Sequence, residues 1–200
     1  PRIEELDAIG NPTLAFQASG IEGLKIRITV KSENNETAEQ IIAVEESLIR
    51  GLLGDLIFGI DEQTMESVVI DELRSRGMTL AVAESLTGGI LSTRLSAIDP
   101  AMEVFRGGSI STLVSGGLAR EERAIAAAEG AQSDFGTKVG LAAVAPNAED
   151  NQLPGTVYFG AVIGDRQFAQ RESLPGDRER MRDYSVISVS NFLRKTLSSG

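Results

Sequence analysis

The segment with the clearest chemical potential is Glu84-Ser85-Leu86-Thr87-Gly88-Gly89, in which two hydroxyl side chains stand beside two glycines. An apolar run at Met78–Ala83 precedes it, and a helical pattern begins at Ile90. This order predicts a buried strand that ends at a sheet edge, followed by a helix whose unpaired N–H groups point to the same place. Such a place suits a phosphate or a developing oxyanion. An equally good interpretation is that Ser85 and Thr87 only cap the helix, as Ser and Thr commonly do.

A second candidate is Gly176-Asp177-Arg178, where the last helix is predicted to begin. An arginine in a first helical turn beside a sheet edge can hold a phosphate or carboxylate through two hydrogen bonds. Taken alone, the motif is better explained by a capping Asp177 and a solvated charge run. The adjacent carboxylate pairs Asp61-Glu62 and Asp71-Glu72 diverge by about 100° on a helix, so no metal site is predicted.

The composition narrows the chemistry further. The 200 residues include no His, no Cys and four Lys, and the formal net charge is −10. These absences exclude a Ser-His-Asp triad, a thiolate nucleophile and a zinc-thiolate site. The acidic balance argues against duplex DNA or an anionic membrane as a partner. No apolar run approaches the roughly 20 residues of a spanning helix and no signal peptide is evident, so we expect a cytoplasmic protein.

Two units are predicted, at residues 1–59 and 60–200. The first has a β-β-α-β pattern and contains Gly20-Ile21-Glu22-Gly23, which matches the GxxG loop of KH nucleic-acid modules. Here the loop joins two strands and carries a glutamate where phosphates would lie, so nucleic-acid binding is not expected. The elements predicted in this unit are strands at Thr13–Ala18 and Leu24–Val30, a helix capped by Thr37 and running to about Leu53, and an extended return at Leu56–Ile60.

The second unit has the order α-β-α-β-α-β-β-β-α, which predicts a layered α/β domain whose mixed sheet ends in an antiparallel hairpin. Its predicted elements are a helix capped by Asp61 or Thr64 and ending near Arg76, a strand at Met78–Ala83, a helix at Ile90–Ile98, a strand within Val104–Leu113, a helix at Leu118–Ser133, a strand at Val139–Ala145, a hairpin of Thr156–Ile163 and Gln167–Ser173, and a helix from Asp177 to about Leu197.

Several motifs, in the same order along the chain, together resemble the CinA competence/damage-inducible family. The upstream residues Asn11-Pro12-Thr13, Lys25–Val30 and Phe58–Glu62 are similar to the small KH-like domain of that family. The motifs of its C-terminal domain are resembled by Val82–Gly89 (AES-x-TGG), Phe105–Gly108 (the following strand), Ala127–Ala131 (MAEGA), Pro154–Val157 (PVGTV) and Gly176–Arg178 (GDR).

The resemblance implies an architecture and an activity. The family carries a molybdopterin-cofactor-type domain upstream, which would precede Pro1 in a longer protein. Its C-terminal domain is similar to amidases that hydrolyse nicotinamide mononucleotide to ammonia and nicotinate mononucleotide without a cofactor. By this resemblance Ser85 is the nucleophile, and a homo-oligomer is expected. The substrate-binding residues that it implies are Thr87, Gly88, Gly89, Arg106 and Arg178.

The sequence departs from the family at the catalytic helpers. The family places a Tyr where Thr112 stands, and a Lys shortly after it, whereas no lysine precedes Lys138 here. Lys138 is expected at the strand end away from Ser85, and Lys195 near the far end of the last helix. The base would then have to be Glu84, a distant Asp or a group from a partner subunit. Three hypotheses follow: an amidase that uses Ser85, a degenerate domain kept for nucleotide binding or assembly, and an RNA-binding module, which the charge disfavours.

Overall fold

A computed structural model describes residues 10–18, 20–98, 101–111, 120–146 and 155–199 of the chain. The chain divides into two compact units, with the division between Ile60 and Asp61. Within the described residues, no helix has the length and apolar character that crossing a membrane requires.

The first unit contains a two-stranded antiparallel sheet and one long helix. Strands β1 (Thr13–Ala18) and β2 (Leu24–Thr29) form the predicted hairpin, and helix α1 (Asn35–Leu53) follows. The predicted cap at Thr37 is wrong, because the side chain of Asn34 accepts the Thr37 N–H at 2.8 Å and starts the helix earlier. An Asn accepting from the third helical residue is a common N-cap geometry.

The predicted strand at Leu56–Ile60 is also wrong. Gly54 ends α1 at a φ of +51°, and a single 3-10 turn at Gly54–Leu56 redirects the chain. Residues 57–60 are not in a strand, so the described part of this unit is β-β-α. Helix α1 leaves three side chains of an apolar stripe exposed, namely Val44, Leu48 and Leu52.

The second unit is built on a five-stranded mixed sheet with the strand order β4-β3-β5-β6-β7. Strands β3, β4 and β5 are parallel, and β6 and β7 form the predicted antiparallel hairpin, with Ile163 opposite Arg166. The predicted element order and the mixed sheet are therefore confirmed. The strands are β3 (Leu80–Glu84), β4 (Phe105–Ile110), β5 (Val139–Val144), β6 (Thr156–Ile163) and β7 (Arg166–Ser173).

Helices cover both faces of this sheet. Three of them pack against the face that carries the larger core cluster. Among the helices that the structure describes, α4 is the one that packs against the other face. Thr64 caps α2 through a reciprocal capping box with Ser67, and Asp177 caps α5 by accepting the Arg180 N–H at 2.9 Å. The helices are α2 (Met65–Ser75), α3 (Ile90–Ser96), α4 (Arg120–Phe135) and α5 (Arg178–Ser198).

Two glycines let α4 lie unusually close to the sheet. A Cβ atom added to Gly160 would overlap the carbonyl oxygen of Ala124, and one added to Gly140 would overlap that of Ala128. Both obstacles are backbone atoms, which cannot rotate away. The alanines of α4 and the glycines of β5 and β6 therefore fix the spacing between the helix and the sheet.

We expect Gly160→Ala to lower the free energy of unfolding by about 1–3 kcal/mol, the usual range for overpacking a tight core. Urea denaturation followed by circular dichroism measures this change. Gly130→Ala is the matched control, because Gly130 lies on α4 with open space around it and alanine favours a helix. A Gly160→Ala protein as stable as the Gly130→Ala protein would contradict this packing.

Candidate active site

A cavity of about 200 Å³ lies between α4 and the carboxyl ends of β3 and β4. Ser85, Ser109 and Ser111 contribute hydroxyl groups to its wall. Small residues of α4 form much of the opposite wall, and two charged residues of that helix, Arg123 and Asp134, complete it. The cavity is therefore lined by hydroxyl groups, small apolar residues and charged residues of both signs.

The periodicities of helix and strand explain why these residues line the cavity. The α4 residues that line the cavity recur at intervals of three or four, which places them on one helix face. Ser109 and Ser111 are two residues apart along the chain at β4, and Ala83 and Ser85 are two apart at β3. Because alternate residues of a strand face the same side of the sheet, each pair points to the cavity. Helix α4 connects β4 to β5 by a crossover, so it runs against their direction and its first turn lies at the Ser85 end.

Ser85 directly follows β3 and is held from both sides. Its N–H donates to the carbonyl of Ala143 at 3.1 Å, and its Oγ accepts the N–H of Ala145 at 3.0 Å. A hydroxyl that accepts from a backbone amide keeps its own hydrogen for another partner. The structure thus fixes the Ser85 hydroxyl at the cavity wall, where the sequence predicted a nucleophile.

Glu84 points to the opposite face of the sheet and holds the start of α3. Its side chain is 2% exposed, and its carboxylate accepts the N–H groups of Gly89, Leu91 and Ser92 at 2.9, 3.1 and 2.9 Å. The Ser92 hydroxyl donates to the same carboxylate. Glu84 is consequently a helix cap, and its carboxylate is turned away from the Ser85 hydroxyl that it was considered to activate.

The Thr87-Gly88-Gly89 turn lies at this helix start. Thr87 is 0% exposed, and its hydroxyl has no hydrogen-bond partner among the described residues. Gly88 is exposed, and the Gly89 N–H is one of the three that donate to the Glu84 carboxylate. None of the three lines the cavity beside Ser85, and their predicted contact with substrate stays a prediction.

The two arginines named by the sequence lie elsewhere. Arg178 is exposed at the start of α5, and the exposed Arg106 reaches the Met102 carbonyl at 3.5 Å. Sequence reasoning missed Arg182, whose guanidinium donates to the Thr87 carbonyl at 3.1 Å. Arg182 lies one helical turn after Arg178, so helical spacing alone could have identified it.

The described residues that line the cavity include no Lys and no Tyr. Lys138 precedes β5, whose first residue pairs with Leu80 at the opposite end of β3 from Ser85, as the sequence predicted. Thr112, where the family has a Tyr, and the residues directly after it, where the family has a Lys, lie outside the described residues. No cluster of His, Cys, Asp or Glu suited to a metal ion occurs in the described part of the chain.

Comparison with known proteins gives matches over nearly the whole chain. The family model of the CinA C-terminal domain matches residues 62–112 and 109–197, and that of the damage-inducible protein CinA KH domain matches residues 1–59. A CinA-like protein of Frankia casuarinae is 35% identical, and the match covers 98% of this chain and 49% of that protein. A CinA-like protein of Kosmotoga olearia is 32% identical, and the match covers 94% of this chain and 50% of that protein. The chain thus spans about half the length of the curated relatives it matches.

Solved structures support the same fold. A CinA superfamily protein of Klebsiella pneumoniae superposes with a TM-score of 0.60 at 22% identity, over 69% of this chain and 100% of that protein. A CinA superfamily protein of Escherichia coli superposes with a TM-score of 0.59 at 21% identity, over 72% of this chain and 98% of that protein. At 21–22% identity, this similarity shows a shared fold.

We expect Glu84→Gln to lower the free energy of unfolding by about 1–3 kcal/mol, because the amide group turns donor hydrogens toward N–H groups that now lack an acceptor. Chemical denaturation measures the loss. Glu103→Gln is the control, since Glu103 is exposed and its nearest cation is 4.0 Å away; it should change stability by less than about 0.5 kcal/mol. Equal stability of the two variants would mean that Glu84 does not hold α3.

Proposed function

The chain belongs to the CinA family, and on that premise we propose that its second unit binds a pyridine mononucleotide of the nicotinamide mononucleotide type in the cavity beside Ser85. One observation carries the proposal: the signature serine and a buried arginine, Arg123, line the same cavity at the carboxyl edge of parallel strands. Open α/β sheets commonly bind ligands at this edge. A cation beside the serine suits an anionic or strongly polar ligand group.

The cavity limits how much of the ligand it encloses. Its volume of about 200 Å³ is below the roughly 300–1,000 Å³ of pockets that enclose a drug-sized molecule. We therefore place the pyridine ring and its substituent inside, and the ribose phosphate at the mouth. In this pose the ring substituent, which is the group to be hydrolysed, faces Ser85.

The chemistry that Ser85 would perform is deamidation. Its oxygen attacks the carboxamide carbon, ammonia leaves, and water hydrolyses the resulting ester to give the acid and free Ser85. The attack needs a proton acceptor, and among the described cavity residues there is neither Lys nor Tyr, while Glu84 is committed to α3. A missing general base costs about 10²–10⁴ in rate, so we propose nucleotide binding with slow deamidation.

Calorimetric titration of the protein with nicotinamide mononucleotide should give saturable heat with one site per chain. Ammonia release from the same nucleotide should be slow and proportional to enzyme concentration. Ser85→Ala should abolish the release and keep the binding, because it removes the nucleophile and leaves Arg123 and the cavity walls. Ser133→Ala, on an exposed turn of α4, should change neither.

The two readouts separate the parts of the proposal. Absence of binding heat with this nucleotide would contradict the binding site. Ammonia release that persists in Ser85→Ala would contradict the role of this serine, whatever the affinity.

A further inference from the structure

We infer that the outer edge of β7 pairs with the same strand of a second copy of this chain. The two strands run antiparallel across a twofold axis, so that the sheets of the two second units join into one continuous sheet. The inference concerns an interaction surface and does not depend on the proposed function, because the cavity beside Ser85 lies toward β4, at the opposite edge of the sheet.

Strand β7 is an outermost strand of the sheet and is open along one side. Among the described residues, β6 is the one strand that pairs with it. Most of its side chains are exposed, and Phe168 and Glu172 are half-buried. An edge of this kind carries a row of backbone donors and acceptors that can pair with a further strand.

The hydrogen bonds to β6 determine which backbone groups of β7 face outward. Leu174, directly after the strand, donates its N–H to the carbonyl of Gly155 at 2.9 Å, in the same register as the rest of the hairpin. Because the direction of the N–H groups alternates along an antiparallel strand, those of Gln167, Ala169 and Arg171 face away from β6. A partner strand must therefore bond to these odd-numbered residues.

A twofold axis at Ala169 meets this requirement and brings opposite charges together. Ala169 then lies opposite Ala169 of the second copy, and Arg166 lies opposite Glu172 in both halves of the interface. Moving the axis by one residue removes both ion pairs, and moving it to Arg171 sets two arginines against each other. The outward hydrogen bonds and the charges thus favour the same register.

The two charged residues are arranged for this contact within each chain. Even-numbered residues of β7 lie on one face of the sheet, so Arg166 and Glu172 point to the same side. The Arg166 guanidinium lies over the Phe168 ring at 5.0 Å, and the Glu172 carboxylate accepts the Gln170 amide at 2.6 Å. These contacts hold both charged groups on the edge strand, where opposite residues of a pair approach closely.

The other face of the strand adds a second match of charge. Gln167 donates its side-chain amide to Glu129 of α4, which places that carboxylate near the β7 edge. In the same register, Arg171 of the second copy lies opposite Gln167 and on the same face of the sheet. The exposed Arg171 of each copy therefore comes close to the exposed Glu129 of the other.

This distribution of charge favours a second copy as the partner over an unrelated strand. Charged side chains on an edge strand commonly prevent pairing with other proteins. Here β7 carries a cation at its start and an anion near its end on one face, so an antiparallel copy supplies the opposite charge at each position by symmetry. An unrelated strand would have to carry the same charges at the same spacing.

Sedimentation equilibrium of the whole chain over a range of concentrations tests the inference. We expect a reversible dimer with twice the mass of one chain. Ala169→Pro should make the chain monomeric, because it removes an N–H that faces the second copy and leaves the hydrogen bonds to β6 in place. Ala169→Ser is the matched control, since it keeps this N–H and should remain dimeric.

A charge exchange tests the register. Glu172→Arg sets two arginines against each other twice, and Arg166→Glu does the same with glutamates, so each should raise the dimer Kd by about tenfold or more. The double variant Arg166→Glu/Glu172→Arg restores opposite charges and should return the Kd to within about threefold of the wild type. Within one strand the two residues are about 20 Å apart, so the rescue requires a contact between copies.

A wild-type chain that is monomeric at every concentration would overturn the inference. A dimer that persists in Ala169→Pro, or one that the double variant fails to rescue, would overturn it as well, because the copies would then associate through another surface. Circular dichroism shows whether each variant folds, and if Ala169→Pro does not, the charge exchange decides the matter. Nucleotide binding measured on the same samples reports on the proposed function separately.

Discussion

A buried carboxylate at the start of α3 determines where the candidate site can be. Glu84 is removed from water, so its charge must be satisfied by hydrogen bonds, and three backbone N–H groups with the Ser92 hydroxyl satisfy it. The same contacts fix the turn between β3 and α3. Because the chain supplies its own anion there, the N–H groups that a substrate anion would otherwise use are occupied. We therefore propose that a ligand is recognised on the opposite face of the sheet, where Ser85 lies.

On that opposite face the geometry depends on how closely α4 approaches the strands. Gly140 and Gly160 allow the helix backbone to rest against β5 and β6. Toward β4 the helix presents small residues and Arg123, and the space between them and the serines forms the cavity.

Local patterns predicted much of this fold, and tertiary placement explains what they missed. Apolar runs and apolar alternation identified the strands, the hairpin of β6 and β7 was correctly predicted, and Asp177 was correctly predicted as a cap. The cap of α1 and the strand after it were wrong, since each depended on one side chain or one glycine. The role of Glu84 and the burial of Arg123 could not be derived in the same way, because they depend on which face of the sheet each element covers. One local feature pointed to Arg123: it lies on the same helix face as several alanines of α4, so it faces the sheet with them.

We propose that the ligand lies between α4 and the sheet, beside Ser85 and away from the start of α3. A crystal structure of the chain with nicotinamide mononucleotide tests it most directly. We expect the pyridine ring and its carboxamide in the cavity beside Ser85, the phosphate at the cavity mouth, and the Glu84 carboxylate still bonded to α3. A phosphate bound by the N–H groups of Gly89 and Leu91, with Glu84 displaced, would contradict it.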